Sequence, residues 1–377
     1  MDFAFTDEQE LLRSSLQSYL RDRYAFEQRD KTSRAEPGWR PETWRAFAEE
    51  LGIVGATLPE AAGGLGGNAV DTMVIMEELG AALVLEPYLE TAVIAAGLLA
   101  GAGGREAELA GIADGSALYA YAWAEPGSRY RYADVATRAR RDGDGWVLDG
   151  AKSVVTAAPW ATQLIVTART AGEPGDAEGV SLFLVDPKAA GVTLRPYPTI
   201  DGRRAAEVGL DSVYLPADAL IGGEGTALPL IEKVGDAAIA AMGAEAVGVM
   251  RRMLQDTIDY TKERRQFGQP IAQFQALQHR MVDMFMQVEL ATSAVYLATL
   301  SLDADPADRA RAASACKVTV GNACRFVGQN AIQLHGGMGM TDELAVGHYF
   351  KRATVIDSEF GTTDYHLARF ADLSAAA

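Results

Sequence analysis

Apolar residues in the first third of the chain recur at helical intervals. Leu11, Leu12, Leu16, Tyr19 and Leu20 form one stripe, and Thr6 with Gln9 ahead of it has the form of a capping box. "PETWRAFAEELG" opens on Pro41 and closes on Gly52, the usual asymmetry of helix ends, and "DTMVIMEELG" closes the same way at Gly80. The glycine-rich "EAAGGLGGNA" between them reads as a loop. Near residue 116 the period changes. "ALYAYAWAE", "ADVATRARR", "GWVLDGAKSVVT", "QLIVTART", "GVSLFLVD", "GVTLRPYP" and "AEVGLDSVYLP" are short and β-rich, with turn signals such as "RDGDG" and "GEPGDAEG" between them. They predict a small β-barrel or sandwich. Helical periodicity then returns in three long runs, "AIAAMGAEAVGVMRRMLQDTIDYTKERRQFG", "IAQFQALQHRMVDMFMQVELATSAVYLATLSLDA" and "PADRARAASACKVTVGNACRFVGQNAIQLHGG". These have the look of antiparallel members of a four-helix bundle. The expected fold class is α+β: an N-terminal helical domain over 1–115, a middle β domain over 116–224 and a C-terminal helical bundle over 225–377.

Composition narrows the partners. The chain has 377 residues, 49% of them hydrophobic, enough for two or three subdomains with a large interior. The net charge of −17 disfavours nucleic acid as a partner. A phosphate-bearing ligand must then be held by a local group of cations and backbone N–H groups against the global field. The two cysteines, Cys316 and Cys324, have no metal-ligand spacing and read as small core residues in a reducing compartment. "MDFAFTDEQELL" has no basic, apolar leader, and "ETAVIAAGLLAGAGG" is too short and too glycine-broken to span a bilayer. The expectation is a cytoplasmic protein with neither membrane nor nucleic-acid partners and no metal. No strand–helix–strand unit carries G-x-G-x-x-G, which excludes a Rossmann dinucleotide site.

Four stretches, in order, carry a family resemblance: "YAWAEPGS", "GWVLDGAKSVVT", "RRQFGQPIAQFQALQHRMVDM" and "QLHGGMGM". With them the whole chain resembles the acyl-CoA dehydrogenase family, and within it the small-subunit group of pimeloyl-CoA dehydrogenase. The resemblance implies that fold, FAD, and α,β-dehydrogenation of a CoA thioester. In that reaction a carboxylate takes an α-proton while a hydride leaves for the flavin. It also implies a split cofactor site, with the flavin ring on one subunit's middle domain and the pyrophosphate and adenosine on its neighbour's C-terminal domain. Matching positions for the second half are Arg264, Phe267, Gln275, Gln333, Gly336, Gly337 and Gly339. Arg264 supplies a fixed cation, and the glycines let backbone approach phosphate.

The ring half departs from the family pattern. Ala124 stands where the family has Thr ahead of Glu-Pro. Arg129, Tyr130 and Arg131 replace Gly-Ser-Asp, and Val154 replaces the ring-stacking Trp. Thr156 is retained. In "KRATVIDSEFGTTDYHLARF" the family's Glu-Gly-Thr falls on Phe360, Gly361 and Thr362, so the usual base position holds a side chain that carries no proton. The family's other base position falls at Ala238, and Asp236 is about 200° away around a helix. Glu359, Asp364 and His366 remain as alternative bases. His279, His335 and His348 read as structural.

The resemblance therefore implies a non-base-bearing subunit of a heteromeric, α2β2 acyl-CoA dehydrogenase. Its partners would be a paralogous large subunit, an acyl-CoA substrate and an electron-transfer flavoprotein as acceptor. Two alternatives stay open. One is a self-sufficient homo-oligomeric flavoenzyme with a relocated base or monooxygenase chemistry. The other is a non-enzymatic scaffold of the same fold.

Overall fold

The computed structural model describes residues 5–375. Helices α1 (Asp7–Arg23), α2 (Phe26–Arg34), α3 (Pro41–Glu49), α4 (Ala69–Ala81), α5 (Ala96–Ala102) and α6 (Glu106–Ala113) come first. Strands follow: β1 (Tyr119–Ala122), β2 (Arg138–Asp142), β3 (Gly145–Thr156), β4 (Gln163–Arg169), β5 (Val180–Val185), β6 (Val192–Pro198), β7 (Arg204–Leu215) and β8 (Leu220–Ile221). The long α7 (Leu228–Glu263) leads into a two-stranded turn, β9 (Arg265–Gln266) and β10 (Gln269–Pro270). Then come α8 (Gln275–Leu300), α9 (Pro306–His335), α10 (Ala345–Ser358) and α11 (Thr363–Ala375). The fold is the expected α+β arrangement of N-terminal helices, a middle β-sheet domain and a C-terminal helix bundle.

The chain forms two compact units. The first contains the chain up to Lys31, Ala69–Val84 and everything from Ile239 on. The second contains Thr32–Asn68 and Leu85–Ala238.

In the first unit α1 begins as its pattern predicts. The Thr6 hydroxyl accepts from the Gln9 N–H and the Gln9 side chain accepts from the Thr6 N–H, a complete capping box. Gly80 does not end α4. It lies inside the helix, and a Cβ there would fall 2.1 Å from the Glu245 carbonyl of α7. Across the same crossing, a Cβ on Gly248 would fall 1.9 Å from the Glu77 carbonyl. These two glycines let the helix backbones touch, so Gly80 serves packing rather than chain reversal. The central helix of the bundle is α9, packed against α8, α10 and α11. Its inner face is built of small residues, Ala313, Cys316, Val320, Ala323, Cys324, Val327 and Ala331, all buried.

In the second unit the strands make one eight-stranded sheet, ordered β6-β7-β3-β2-β4-β5-β8, with β1 paired parallel to β4. Each of the seven predicted runs overlaps one strand, and β8 adds a short eighth. Trp146, Leu148, Val166, Phe183, Val208 and Val213 form its core. Register shifts in the β3–β7 pairing, between Leu148 and Gly150 and between Lys152 and Val155, bend these two long strands.

Candidate functional site

The predicted phosphate-side residues all lie in the first unit. At the end of α7 the Arg264 N–H donates to the Tyr260 carbonyl (2.9 Å), and the Arg264 carbonyl accepts from the Ile271 N–H (2.8 Å), which closes the β9–β10 turn. Phe267 sits on this turn at φ 53°, 92% exposed, edge-on to Phe274. Gln275 is the exposed first residue of α8. The Tyr260 ring stacks on His335 with centroids 4.4 Å apart and its hydroxyl donates to the His335 carbonyl. That pair holds the end of α7 beside the end of α9, where Gln333 is exposed and Gly336 caps the helix at φ 60°.

This set is built to receive something. The Arg264 guanidinium is exposed and has no side-chain partner among the described residues. Gly339 is a glycine for an internal reason, since a Cβ there would fall 2.9 Å from the Ile332 carbonyl. Gly337 has no such reason: its φ is not positive and nothing lies within 4 Å of a Cβ placed on it. An uncommitted cation and backbone left bare on its outer side each suit a phosphate group. An exposed phenyl ring on the same turn suits an aromatic base.

The ring-side residues lie in the second unit and offer much less. Ala124 has no hydroxyl. Val154 is exposed at φ 52°, a strained conformation for a β-branched residue. Its N–H donates to Glu207 Oε1 (3.3 Å), the same oxygen that accepts from the Tyr197 hydroxyl (2.9 Å). Thr156 is half-buried at the end of β3, opposite Ala205. Glu125, retained in the segment along with Pro126, faces inward. Its carboxylate accepts from the Ala136 N–H (2.7 Å), the Thr137 N–H (3.0 Å) and Lys152 Nζ (2.5 Å). Burial alone would raise the Glu125 pKa, but the Lys152 ammonium and these hydrogen bonds hold it below the usual carboxylate range. Burial pushes Lys152 down to about 8 against the pull of Glu125.

The turn carrying the base position is rigidly built. Phe360 has φ 54°, and its carbonyl accepts from His366 Nε2 (2.8 Å). The other ring nitrogen of His366 faces the Ser314 hydroxyl at 3.3 Å. Both ring nitrogens are engaged, and in the neutral ring a donating Nε2–H leaves Nδ1 to accept from Ser314. Burial first, with the Lys317 and Arg369 charges, outweighs the Phe360 hydrogen bond and lowers its pKa to about 4. Glu359 is tied to Arg352, whose guanidinium also grips buried Glu245 through two hydrogen bonds of 2.7 and 2.8 Å. Asp364 is exposed in the first turn of α11. Ala238 is fully buried and Asp236 is buried two residues before it.

The His366 geometry predicts an acid-side loss of stability. A histidine held at about 4 in the folded state and near 6.5 when unfolded contributes stability that is complete above 6.5 and lost as pH falls toward 4. Thermal melts at pH ~7 and ~4.5 are expected to show a larger drop for the parent chain than for His366→Gln. Equal drops would remove His366 from the account.

Comparison with known proteins fits these features. Residues 6–107, 120–213 and 237–373 match the N-terminal, middle and C-terminal domains of acyl-CoA dehydrogenase. The chain belongs to the acyl-CoA dehydrogenase family. A relative in Mycobacterium tuberculosis, the probable acyl-CoA dehydrogenase FadE25, is 31% identical over 329 residues, 85% of this chain and 84% of that protein. Among solved structures, a variant of the Tcur3481–Tcur3483 steroid acyl-CoA dehydrogenase is similar at TM-score 0.88 and 29% identity, covering 98% of each chain. The ChsE4–ChsE5 complex from Mycobacterium tuberculosis is similar at TM-score 0.90 and 25% identity, covering 100% of each chain. Membership makes this a chain of an FAD-dependent oxidoreductase acting on CH–CH bonds, and FAD is the cofactor it implies. Among the described residues no cluster of His, Cys, Asp and Glu is arranged to hold a metal, and no helix is long and apolar enough to cross a membrane.

Sequence reading missed two aromatic residues that flank the altered flavin segment of this acyl-CoA dehydrogenase chain. Trp123 packs against Tyr132 with ring centroids 4.9 Å apart. Tyr132 in turn lies over Gly235 of α7, where a Cβ would fall 2.3 Å from its hydroxyl oxygen. Gly235 gave no signal of this, because it precedes the helical run read from the sequence and its place inside α7 shows only in the structure. Lys317, beneath the base turn, gives no such signal: a lysine in a helix ordinarily faces water.

Proposed function

We propose that this chain is the small, non-base-bearing subunit of a heteromeric acyl-CoA dehydrogenase of the pimeloyl-CoA dehydrogenase small-subunit type. In an α2β2 assembly it lends Arg264, Phe267, Gln275, Gln333, Gly336, Gly337 and Gly339 to the FAD pyrophosphate and adenosine of a paralogous large subunit's active site. The observation that carries the reading is the contrast between this chain's two half-sites. Arg264 is uncommitted and Gly337 is open, while the base position is Phe360 and the ring segment is closed on itself. Bound FAD supplies the hydride acceptor, and the base and ring pocket belong to the large subunit. The substrate class is a CoA thioester, with an electron-transfer flavoprotein as the acceptor of the electrons. The similar steroid acyl-CoA dehydrogenase and the ChsE4–ChsE5 complex support a heteromeric assembly here.

A partner surface is available on α8. Val282, Phe285, Met286, Leu290 and Leu297 follow one another at helical spacing and each is about half exposed or more, from 49% to 56%. A row of large apolar side chains on one helix face fits a protein partner better than water.

Flavin content tests the proposal. The chain purified alone is expected to hold little FAD, and the chain co-expressed with its paralogue about one FAD per heterodimer. Arg264→Gln is expected to empty the heterodimer of FAD without dissociating it, because a fixed cation on the pyrophosphate is lost. A full flavin complement in the lone chain, bleached by an acyl-CoA, would refute the reading and assign a base to this chain.

A further inference from the structure

We propose that Trp123 and Tyr132 form an aromatic plug that bars a flavin ring from this chain's own middle domain. The inference takes its meaning from the split-site reading above, in which this chain's ring half is not used. It goes further by assigning the exclusion to two particular side chains rather than to missing contacts.

The segment matching the family's ring contacts runs from Ala124 to Arg131, with Trp123 at one end and Tyr132 at the other. The Glu125 carboxylate, bonded to the Ala136 and Thr137 N–H groups, draws the two ends together. The indole and phenol then meet at 4.9 Å, inclined by 59°. Neither belongs to the sheet's apolar core, and both are only half-buried. Trp123 is anchored through its carbonyl, which accepts from the Thr167 hydroxyl (3.4 Å) and Lys152 Nζ (3.5 Å).

Tyr132 closes the space from the other side. Beyond the hydroxyl contact, two of its ring carbons would lie 2.8 and 3.0 Å from a Cβ on Gly235. Glycine is unfavourable in a helix interior relative to alanine, and here its absent side chain makes room for the tyrosine. Gly235 lies three residues before Ala238, the position matching the family's alternative base. The plug thus reaches from the ring segment to the helix turn that would face a substrate in a base-bearing relative.

Two more groups fit a sealed pocket. The Tyr121 hydroxyl on β1 is buried and has no hydrogen-bond partner among the described residues. Burial, with Tyr132 nearby, raises its pKa well above the ordinary phenol value. A buried polar group without a partner is costly, and one beneath a plug is denied the water or ligand that would complete it. Next to Ser153, whose N–H donates to the Ala124 carbonyl (2.8 Å), the Val154 N–H is already taken by Glu207, so an arriving heterocycle meets a carboxylate instead of a donor.

Riboflavin tests the plug directly. It carries the ring without the pyrophosphate, so its binding depends on neither Arg264 nor a partner chain. Quenching of riboflavin fluorescence by the isolated chain is expected to be weak for the parent and for Tyr132→Phe, which keeps the plug. Tyr132→Ala is expected to bind at least about tenfold more tightly. Trp123→Val, which removes the other half of the plug, is expected to do the same and carries the test should Tyr132→Ala fail to fold. Tight binding by the parent chain would overturn the plug. So would indifference to riboflavin in an opened variant that still melts cooperatively. A heterodimer that nonetheless holds about one FAD would then leave the shared-site reading standing without it.

Discussion

Glu125→Ala is expected to lower folding stability by about 3–5 kcal/mol, seen as an earlier denaturant midpoint at unchanged slope. The reason is the lysine it leaves behind. Lys152 is fully buried on β3, and its ammonium has one carboxylate, Glu125, at 2.5 Å with the Thr167 hydroxyl at 2.8 Å. Removing the carboxylate strands a charge in the interior and frees the Ala136 and Thr137 N–H groups together. Two companion variants separate these causes. Glu125→Gln retains an acceptor oxygen and should lose less. Glu125→Leu combined with Lys152→Met removes both charges, and should be markedly more stable than Glu125→Ala, because a buried ion pair is worth little against apolar packing of similar volume. A loss under about 1 kcal/mol for Glu125→Ala would mean that Lys152 is not left as a buried charge, because it sheds its proton or water reaches it. The prediction bears on function as well. Glu125 is retained, with Pro126, in an otherwise altered flavin segment, and the retention of Glu125 is explained by Lys152 and the loop it closes.

The same distinction decides what was legible in the sequence. Long periodic runs placed α7, α8 and α9, because one buried face imposes one period over many turns. The β runs were readable because turn residues bound each one. The start of α7 at Leu228 was missed, since Ala227 before it is no capping residue, although Pro229 in the first turn fits a start. Gly80 misled because a glycine late in a helix pattern reads as a stop, while only the partner helix shows that the backbones touch there. The residues proposed for the phosphate side could be picked out because they cluster in two local motifs, and Gly337 has nothing within 4 Å of a Cβ placed on it. What remained hidden depends on distant pairs. Arg352 and Glu245 are 107 residues apart in the chain yet bonded through both carboxylate oxygens, and nothing local marks either as buried. With Arg352 held in this way, Glu359 becomes one acid of a three-membered ion group rather than a free carboxylate.

Lys317→Met is expected to destabilise the chain by about 3 kcal/mol and to loosen the turn around Phe360. Lys317 lies on α9 with 2% of its surface exposed, and its ammonium donates to the carbonyls of Ile356 (2.7 Å), Asp357 (3.0 Å) and Gly361 (2.7 Å). Two of those carbonyls belong to the last turn of α10, where no intrahelical donor remains, so the lysine is the cap. Methionine fills the space and satisfies none of them. Faster proteolysis or hydrogen exchange at 356–362 is the local readout. The pH dependence identifies the ammonium itself. Burial pushes Lys317 down to about 8 from an ordinary 10.5. The folded chain therefore sheds this proton before the unfolded chain does, and stability rises from pH about 8 toward 10.5. Subtracting the Lys317→Met profile isolates that rise from other alkaline groups, and a flat difference would assign the cage to packing alone. The turn explains why Gly361 and Thr362 persist beside a phenylalanine at the base position. A Cβ on Gly361 would fall 2.5 Å from His366 Nε2, and the Thr362 hydroxyl accepts from the Tyr365 N–H at the start of α11. Both residues are required by the turn whether or not a carboxylate follows Glu359, so their retention says nothing about a base.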